Sequence, residues 1–272
     1  MARWEAEAVA AAMRGRLGKP VVVFEAIGST NDEAKRLAEA GAAEGTLVLA
    51  ETQTAGRGRG GRRWLSPPGT GLALSLVLRP RLAAAQAARL TMLAGVAGAE
   101  AIEAATGARA ALKWPNDILL GGRKAGGILV ECGLAGERLE YAVTGVGLNV
   151  SAAPPAEAVE VPAAAVAEAA GRPVDRLELL TALVGALERW YARVGDGAAL
   201  REAWARRLAW LGEQVTAHTA EGELAGVAEG VDEDGALLLR LASGERRRLW
   251  AADVRLRPGH RDATGEEMSD VR

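Results

Sequence analysis

Four short apolar segments, separated by turn-forming residues, fill the stretch between residues 110 and 150. One break is the pair Gly121-Gly122 and another is Ala135-Gly136, and such pairs are typical of tight turns between strands. Because short connections leave consecutive strands side by side, the pattern predicts a meandering sheet. The expected strands are residues 110–114, 117–120, 127–134 and 139–150.

Further helical and strand patterns precede and follow this stretch. Thr30 and Glu33 have the spacing of a helix-capping box, which predicts a helix over residues 31–40 that ends at Gly41. Apolar and amphipathic periodicity predicts the remaining elements. The other expected strands are residues 21–24, 46–52 and 72–78, and the other expected helices are residues 4–17, 82–105, 160–170, 176–194 and 198–211.

The pattern changes at Gly212, after which short strands follow one another closely. Four or five strands within about 45 residues, joined by glycine-containing turns, predict a small β-barrel. The tail from Gly259 is highly charged and is expected to be disordered. The expected divisions are an N-terminal helix in residues 1–20, a large domain in residues 21–211, the small β-domain in residues 212–258 and the tail in residues 259–272.

Composition excludes some classes of protein. The net charge is -2 over 272 residues, so no general basic excess marks a nucleic-acid or membrane-surface binder. Cys132 is the single cysteine and cannot form an internal disulfide, which fits a reducing cytosol. Residues 1–13 lack a signal-peptide pattern, and no stretch reaches the roughly 18 apolar residues of a membrane span. We therefore expect a cytoplasmic protein without a membrane segment.

Glycine and arginine alternate from Gly56 to Arg63, directly after a predicted strand, and Trp64 closes the run. We call residues 56–64 the Gly-Arg loop. Glycine lets backbone N–H groups approach an anion, and arginine offers a charged fork that matches phosphate or carboxylate. The loop is therefore suited to an anion, and a solvated surface loop is the alternative.

Three other interpretations of the Gly-Arg loop fit less well. Gly56, Gly58 and Gly61 match the spacing of a dinucleotide fingerprint, but Pro67 and Pro68 prevent the helix that should follow. A Walker A motif fails because no Gly-Lys-Ser/Thr sequence occurs. RNA-binding Arg-Gly segments are long and repetitive, unlike this single run between two predicted strands.

A second cluster of polar residues lies at residues 112–117, which we call the Lys-Trp segment. Pro115 restricts the backbone there, so a cation, an amide and a carboxylate are held in register between two predicted strands. These three side chains are Lys113, Asn116 and Asp117. The basic pair Arg123-Lys124 follows and precedes two glycines that allow close approach to a ligand. Taken singly, each residue is better explained by a surface, turn or core position than by a functional role.

Together these segments gather several cations and one acid around one expected cleft. Such a cleft suits the reaction of an anionic group with a polyphosphate, where fixed positive charge and a metal ion offset the repulsion. Hydrolase chemistry with a serine or cysteine nucleophile would need a histidine nearby. His218 and His260 fall in the small β-domain and the tail, so we set hydrolase chemistry aside.

Five motifs, in order and in approximate spacing, resemble those of biotin–protein ligases. They are residues 28–31, the run from Gln53 to Trp64, residues 113–117, residues 123–129 and Gly145-x-Gly147-x-Asn149. The resemblance covers roughly residues 20–258. It implies an α+β fold in which a mixed β-sheet is flanked by helices, as in lipoate ligases and class II aminoacyl-tRNA synthetases, with a small SH3-like C-terminal β-barrel. It also implies two reaction steps: biotin and ATP, with Mg²⁺, give biotinyl-5'-AMP, and biotin then passes to a lysine of a biotin carboxyl carrier protein.

The resemblance also implies where the substrates bind. The expected biotin-binding residues are Ser29, Thr30, Asn31, Gln53, Arg57, Gly58, Arg59, Lys124 and Gly127. The expected ATP-binding residues are Arg57, Arg59, Arg62, Trp64, Lys113, Asn116, Lys124 and Asn149. The expected catalytic residues are Arg59, Lys113, Asp117 and Lys124. Asp117 is also the expected metal ligand, or else orients the incoming lysine amine, and the Gly-Arg loop is expected to fold over the adenylate.

Some members of that family also repress transcription through an N-terminal helix-turn-helix domain of about 60 residues. Only about 20 residues precede the first expected strand here, so we expect a ligase without sequence-specific DNA binding. The resemblance further implies that two copies can pair through sheet edges as a homodimer. A lipoate or octanoate ligase, an RNA-binding module and an inactive ligase are the alternatives, and the Lys-Trp segment and Gly-Arg loop favour biotin.

Overall fold

The structure, a computed structural model, describes residues 3–250 and 252–256. The helices are α1 (Ala6–Ala12), α2 (Thr30–Glu39), α3 (Ala88–Thr106), α4 (Val166–Ala170), α5 (Arg176–Tyr191) and α6 (Gly197–Ala205). The first seven strands are β1 (Val21–Ile27), β2 (Leu47–Gln53), β3 (Gly71–Leu78), β4 (Ala110–Lys113), β5 (Asp117–Leu120), β6 (Arg123–Ala135) and β7 (Arg138–Asn149). The others are β8 (Gln214–Thr219), β9 (Gly222–Val231), β10 (Leu237–Leu241), β11 (Arg246–Leu249) and β12 (Asp253–Leu256).

Seven strands form one sheet in the order β1-β2-β3-β7-β6-β5-β4. Strands β1 and β2 are parallel, with Val21 opposite Leu47, and the other neighbouring pairs are antiparallel. Strands β4 to β7 are joined by short turns and lie side by side, so the predicted meander is confirmed. The mixed sheet that the resemblance implied is confirmed as well.

Helices cover both faces of this sheet. Adjacent residues of a strand point to opposite faces, so Leu47 and Val48 contribute to two separate apolar clusters. The cluster that contains Val48 includes Ala34 and Ala38 of α2, whereas the larger one includes α3, α5 and α6. The sheet is therefore a buried central layer, and the predicted α+β class with flanking helices is confirmed.

The C-terminal strands form a second, antiparallel sheet in the order β11-β10-β9-β8-β12. This sheet is consistent with the expected SH3-like domain. Strands β11 and β12 stand at its two ends, so closure into a barrel stays a prediction. A loop of this sheet contacts the large domain, because Trp114 Nε1 donates to Gly235 O at 2.9 Å.

Helix α2 begins without the predicted capping box. It starts after Ser29, and no side chain caps it. The Thr30 hydroxyl instead donates to Gln53 Oε1 at 3.1 Å, and Glu33 pairs with Arg36 at 2.7 Å. The capping-box prediction is therefore wrong, because Thr30 finds its polar partner on β2, although the helix itself is confirmed.

Two predicted helices are shorter because adjoining residues pair with strands. The helix expected at 198–211 ends at Ala205, and Ala209 N then donates to Leu112 O at 2.9 Å. Near 160–170 only α4 forms, since Pro162 O accepts a hydrogen bond from Lys124 N at 2.8 Å. These two pairings bring otherwise featureless segments to the edge of the central sheet.

Other elements differ in length: β1 continues to Ile27, β6 begins already at Arg123 and α5 ends at Tyr191. The N-terminal helix spans only Ala6–Ala12, and α3 begins at Ala88 after a 3-10 turn at Ala84–Gln86. The tail at 259–272 lies outside the described residues, and the predicted domain bounds stay predictions. Among the described helices, none combines the length and the apolarity that a membrane crossing requires.

Candidate active site

A cavity of about 560 Å³ opens over strands β3, β6 and β7 and beneath the Gly-Arg loop. It is lined by all the site residues that were predicted from the sequence. These are Ser29, Thr30, Asn31, Gln53, Arg57, Gly58, Arg59, Arg62, Trp64, Lys113, Asn116, Asp117, Lys124, Gly127 and Asn149. The structure thus brings them together in one place, while the role of each stays a prediction.

The floor of the cavity is apolar and lacks side chains at several positions. Glycines on β6 and β7 leave space above the sheet, and aliphatic residues fill the surroundings. The lining residues of this kind are Ala73, Leu74, Gly127, Ile128, Leu129, Gly145, Val146 and Gly147. Such a floor can accept an apolar ring system, while polar groups at its edges fix the orientation of a ligand.

One end of the cavity holds a network of uncharged polar groups at the start of α2. Thr30 N and Oγ1 both donate to Gln53 Oε1, at 2.8 and 3.1 Å, which leaves the Gln53 amide nitrogen to donate elsewhere. Ser75 Oγ lies 2.8 Å from Thr30 Oγ1 and donates to Asn31 Oδ1 at 2.6 Å. These groups are buried and mutually oriented, so the pocket is preformed.

Glu131 joins this polar pocket to the Gly-Arg loop. Its carboxylate accepts from Asn31 Nδ2 at 2.8 Å and pairs with Arg57 Nη2 at the same distance. Arg57 also pairs with Asp32 of α2 at 2.5 Å. Burial lowers the pKa of Arg57, but Glu131 and Asp32 together raise it above its ordinary value, so the guanidinium is a firm anchor for the loop.

The Gly-Arg loop folds back on itself above the sheet. Gly58 N donates to Arg62 O at 2.7 Å and Trp64 N donates to Gly56 O at 2.9 Å, which makes the loop a small hairpin. Arg59 reaches into the cavity, where burial lowers the pKa of its guanidinium, the neighbouring Arg62 lowers it further and Asp117 opposes both. Arginine remains charged at neutral pH despite such a shift, so Arg59 presents a cation to the interior.

The Trp64 ring lies flat on the glycines of the floor. A Cβ atom at Gly147 would come within 2.5 Å of Trp64 Cε2, and one at Gly127 would come within 3.3 Å of Cζ3. The ring is also 5.9 Å from Lys124 Nζ. A larger residue at Gly147 would displace the indole, whereas one at Gly127 would require it to shift by only a few tenths of an ångström.

Two lysines form the charged wall opposite the polar pocket. Lys124 Nζ pairs with Asp117 Oδ1 at 2.6 Å, and the side chains are 28% and 14% exposed. The Lys124 main chain is fixed on both sides, because its N–H donates to Pro162 O and its carbonyl accepts from Ala164 N at 2.9 Å. Lys113 is 9% exposed at the end of β4, so the wall combines one buried lysine with one partly exposed lysine.

Two amides flank this wall. Asn116 Nδ2 donates to Ile128 O at 2.8 Å, and Asn149 Nδ2 donates to Ala164 O at 3.1 Å. Within the part of the chain that the structure describes, Asn149 Oδ1 and Trp64 Nε1 are buried without a hydrogen-bond partner. Buried polar atoms are nearly always satisfied, so both atoms are available to a bound molecule.

Several lining or supporting residues were missed from the sequence. Ser75 sits alone in an apolar strand, and Glu131 follows an apolar strand segment, so neither carries a local signal. The segment 154–163 forms the far side of the cavity, but its proline- and alanine-rich sequence indicates only a loop. Its lining residues are Pro154, Ala158, Val159, Glu160, Val161 and Ala163.

Comparison with known proteins agrees with this geometry. A model of the biotin/lipoate A/B protein ligase family matches residues 23–149, which defines the class of the central sheet and its cavity. A model of the biotin protein ligase C-terminal domain matches residues 210–257.

Individual relatives narrow the class. The chain is 43% identical over 233 residues to a biotin–[acetyl-CoA-carboxylase] ligase of Paracoccus denitrificans, covering 83% of this chain and 96% of the relative. It is 35% identical to the bifunctional ligase/repressor BirA of Bacillus subtilis (strain 168), covering 88% and 75% respectively. The structure of Aquifex aeolicus biotin protein ligase in complex with biotin and ATP superposes with a TM-score of 0.73 at 29% identity, covering 88% of this chain and 99% of that one. The chain belongs to the biotin protein ligase family.

Proposed function

We propose that this protein activates biotin with ATP to biotinyl-5'-AMP and then transfers biotin to a lysine of a biotin carboxyl carrier protein. The observation that carries the proposal is one cavity in which a preformed uncharged polar pocket meets a wall of cations. The relative from Paracoccus is named as a ligase for acetyl-CoA carboxylase, which supports a carrier of that class as the acceptor.

Biotin occupies the polar end of the cavity in this proposal. Its ring system lies on the apolar floor, and its ureido group exchanges hydrogen bonds with Ser29, Thr30 and Gln53. Because Thr30 fixes the Gln53 amide, the pocket offers donors and acceptors in set directions. Asn31 supports the pocket from below through Glu131. Arg57, Gly58 and Gly127 bound the same end of the cavity.

The first step joins two anions, so it requires fixed positive charge. A biotin carboxylate oxygen forms a bond to the α-phosphorus of ATP, the bond from that phosphorus to the bridging oxygen breaks, and pyrophosphate leaves. Lys124 neutralises the approaching carboxylate and phosphate, and Lys113, Arg59 and Arg62 offset the charge of the other phosphates. Rigid cations are effective here because they need little reorganisation during the reaction.

The adenosine part of ATP fits the region around Trp64. The indole face offers a stacking surface, and Asn149 Oδ1 and Asn116 offer polar atoms at its edge. Stacking of a base on an aromatic ring contributes about 1–3 kcal/mol. The Trp64 ring is positioned by the floor glycines, so this part of the site is also preformed.

The described lining of the cavity has too few acidic groups to hold Mg²⁺ by itself, so the ion would bind together with ATP. Among the described residues, no cluster of three or more His, Cys, Asp or Glu side chains forms a metal site, and the carboxylates of the lining are Asp117 and Glu160. Mg²⁺ commonly binds through one or two carboxylates and substrate phosphates. Asp117 would hold it, and the ion would supply charge neutralisation at the phosphates.

In the second step the acceptor lysine attacks the biotinyl carbonyl, and AMP leaves. A carbon–nitrogen bond forms while the bond between the carbonyl carbon and the phosphate oxygen breaks. Asp117 attracts and orients the incoming amine, and the Gly-Arg loop covers the mixed anhydride so that water does not consume it. The loop is held for this purpose by Arg57 on Asp32 and Glu131.

Exchange of pyrophosphate into ATP tests the proposal directly. Purified protein with Mg²⁺ is assayed with biotin, with lipoate and without an added acid. Exchange that depends on biotin is expected. Exchange with lipoate alone would identify a lipoate ligase, and no exchange under any condition would contradict adenylation.

Three further expectations belong to this proposal. The protein acts in the cytoplasm, two copies can pair through sheet edges, and it does not bind operator-type DNA. Tight sequence-specific DNA association in a mobility-shift experiment would contradict the last of these.

A further inference from the structure

The Lys113 ammonium faces an aromatic ring that belongs to another part of the chain. Lys113 is buried, and its Nζ lies 5.5 Å from the centroid of the Trp210 ring. A buried cation loses much of its hydration, and the face of an indole is the best aromatic substitute for the lost water. The Trp210 ring therefore provides a specific environment for the Lys113 ammonium, which lines the cavity.

The main chain at Trp210 is held in a conformation that a bulky side chain rarely adopts. Its φ is 63°, and Trp210 is the one non-glycine residue with positive φ in the described ranges 3–250 and 252–256. Such strain persists only where the surroundings enforce it, and it often marks a functional position. Here it points the ring at Lys113.

Two sets of hydrogen bonds enforce this position. On one side, residues 207–209 run along β4, where Leu112 N donates to Arg207 O at 2.7 Å and Ala209 N donates to Leu112 O at 2.9 Å. On the other side, the chain enters the C-terminal sheet, where Gly212 N donates to Ala228 O at 2.8 Å. Trp210 thus sits between the central sheet and the C-terminal domain.

The same domain holds the next residue of the Lys-Trp segment. Trp114 is buried beside Lys113, and its indole N–H donates to the carbonyl of Gly235 in the loop between β9 and β10. That loop is fastened to α3, because Asp234 pairs with Arg89 at 2.9 Å. The Lys-Trp segment is therefore contacted at two successive residues, by Trp210 at the domain junction and by the C-terminal domain itself.

We infer that Trp210 is a positioning residue that holds the Lys113 ammonium toward the phosphates of ATP, so that the junction with the C-terminal domain completes the cationic wall of the active site. The inference rests on the proposed role of Lys113 in adenylation. It assigns to the domain junction a function in ATP use, distinct from its contribution to folding.

The test compares three variants in biotin-dependent pyrophosphate exchange. Trp210→Leu removes the aromatic face and is expected to lower kcat/KM for ATP by about 5- to 30-fold, with biotin affinity unchanged. Trp210→Phe retains a ring and is expected to recover most of the loss. Trp250→Leu is the matched control, because Trp250 stacks on Arg248 at 5.2 Å but is exposed and does not line the cavity.

A double-mutant cycle separates positioning from packing. In a Lys113→Met background, Trp210→Leu should add little further loss, since the ring then has no ammonium to hold. A full additive loss, or an equal loss of biotin affinity in Trp210→Leu, would overturn the inference and leave Trp210 as a packing residue. Thermal unfolding of each variant shows whether the fold is intact.

Chemical modification of Lys113 tests the contact with Trp210 without relying on enzyme activity. If the wild-type protein shows no exchange at all, the proposed function fails. The contact is then tested by the rate at which an acylating reagent modifies Lys113, followed by peptide mass spectrometry. A faster rate in Trp210→Leu than in Trp250→Leu is expected, and equal rates would contradict a role of the ring in holding the ammonium.

Discussion

The Gly-Arg loop and the Lys-Trp segment both bring cations to one cavity, but they are held in opposite ways. The loop bonds mainly to itself, and Arg57, 41% exposed, ties it to the domain through ion pairs with Asp32 and Glu131. The Lys-Trp segment is buried in the central sheet and bonded to the C-terminal domain. The Lys-Trp segment is therefore largely shielded from solvent, while the Gly-Arg loop depends on contacts that salt can screen.

Because of this difference, the cations of the Lys-Trp segment and those of the Gly-Arg loop suit different steps of the reaction. A buried, rigid ammonium suits the step in which charge develops, because it does not have to move. A loop held by exposed ion pairs can release and close again, which suits entry of substrates and retention of the adenylate. Changes in the wall should therefore affect chemistry, and changes in the loop should affect retention.

The largest effect is expected for the wall. Lys124→Met removes the cation next to the reacting groups and should lower kcat for pyrophosphate exchange by about 100- to 1000-fold. Lys35→Met, an exposed position on α2, is the matched control. If Lys124→Met stayed within threefold of the wild type, the division between wall and loop would lose its main support.

The second-largest effect is expected where the Trp64 ring packs on Gly147. This ring belongs to the Gly-Arg loop and also lies beside Lys124 of the wall. Gly147→Ala places a Cβ within 2.5 Å of the indole and should raise KM for ATP by at least roughly fivefold through lost stacking. Trp64→Leu should act in the same direction. Gly195→Ala, where nothing lies within 4 Å of a Cβ, serves as the control. Normal ATP kinetics in Gly147→Ala would mean that the ring does not contact the nucleotide.

A smaller effect is expected for the anchor of the loop. Asp32→Asn removes one of the two carboxylates on Arg57 and should raise the release of AMP from biotin and ATP without acceptor about two- to fivefold. High salt should reduce the difference between variant and wild type. Glu33→Gln changes the neighbouring carboxylate, which pairs with Arg36 instead, and should leave AMP release unchanged. An increase in exchange rate rather than in AMP release would contradict a retention role.

The smallest effect concerns a thiol on β6, the strand that also carries Lys124, and leaves activity unchanged. Burial, assisted by Glu131, raises the pKa of Cys132 on β6 to about 11, from an ordinary value near 9. At pH 8 the thiol should therefore react with iodoacetamide far more slowly than a free cysteine, as followed by intact mass. The unfolded chain loses this proton first, so the free energy of unfolding should fall as pH rises between about 9 and 11. Fast alkylation at pH 8 would indicate that β6 opens readily.

The sequence predicted local features of the fold and site well. The pairs Gly121-Gly122 and Ala135-Gly136 marked two turns of the meander, and alternating glycine and arginine marked a loop that does reach the cavity. The motif Gly145-x-Gly147 was recognised as a pattern, but its physical reason was not visible. That reason is the Trp64 ring, which is distant in sequence and meets Gly147 only after β7 and the loop have folded.

Non-local pairing explains most of what the sequence did not reveal. Ser75 is indistinguishable from an incidental polar residue until α2 places Asn31 above it. The capping-box spacing of Thr30 was misleading, because a tertiary partner on β2 outcompetes a local one for the hydroxyl. Helical periodicity near 160 and 206 was likewise overridden by hydrogen bonds to strands.

The pairing of Lys124 with residues 162–164 has a consequence for how this enzyme can be rebuilt. The Lys124 main chain is hydrogen-bonded by that stretch and is paired with β5 as well, so the chain length between Asn149 and Pro162 contributes to where the ammonium lies. A crossover that exchanges this connection with one of another length would shift the reacting centre while every charged residue keeps its identity. In chimeras and circular permutants, the connection between Asn149 and Pro162 therefore has to be kept at its natural length, although it carries few charged residues.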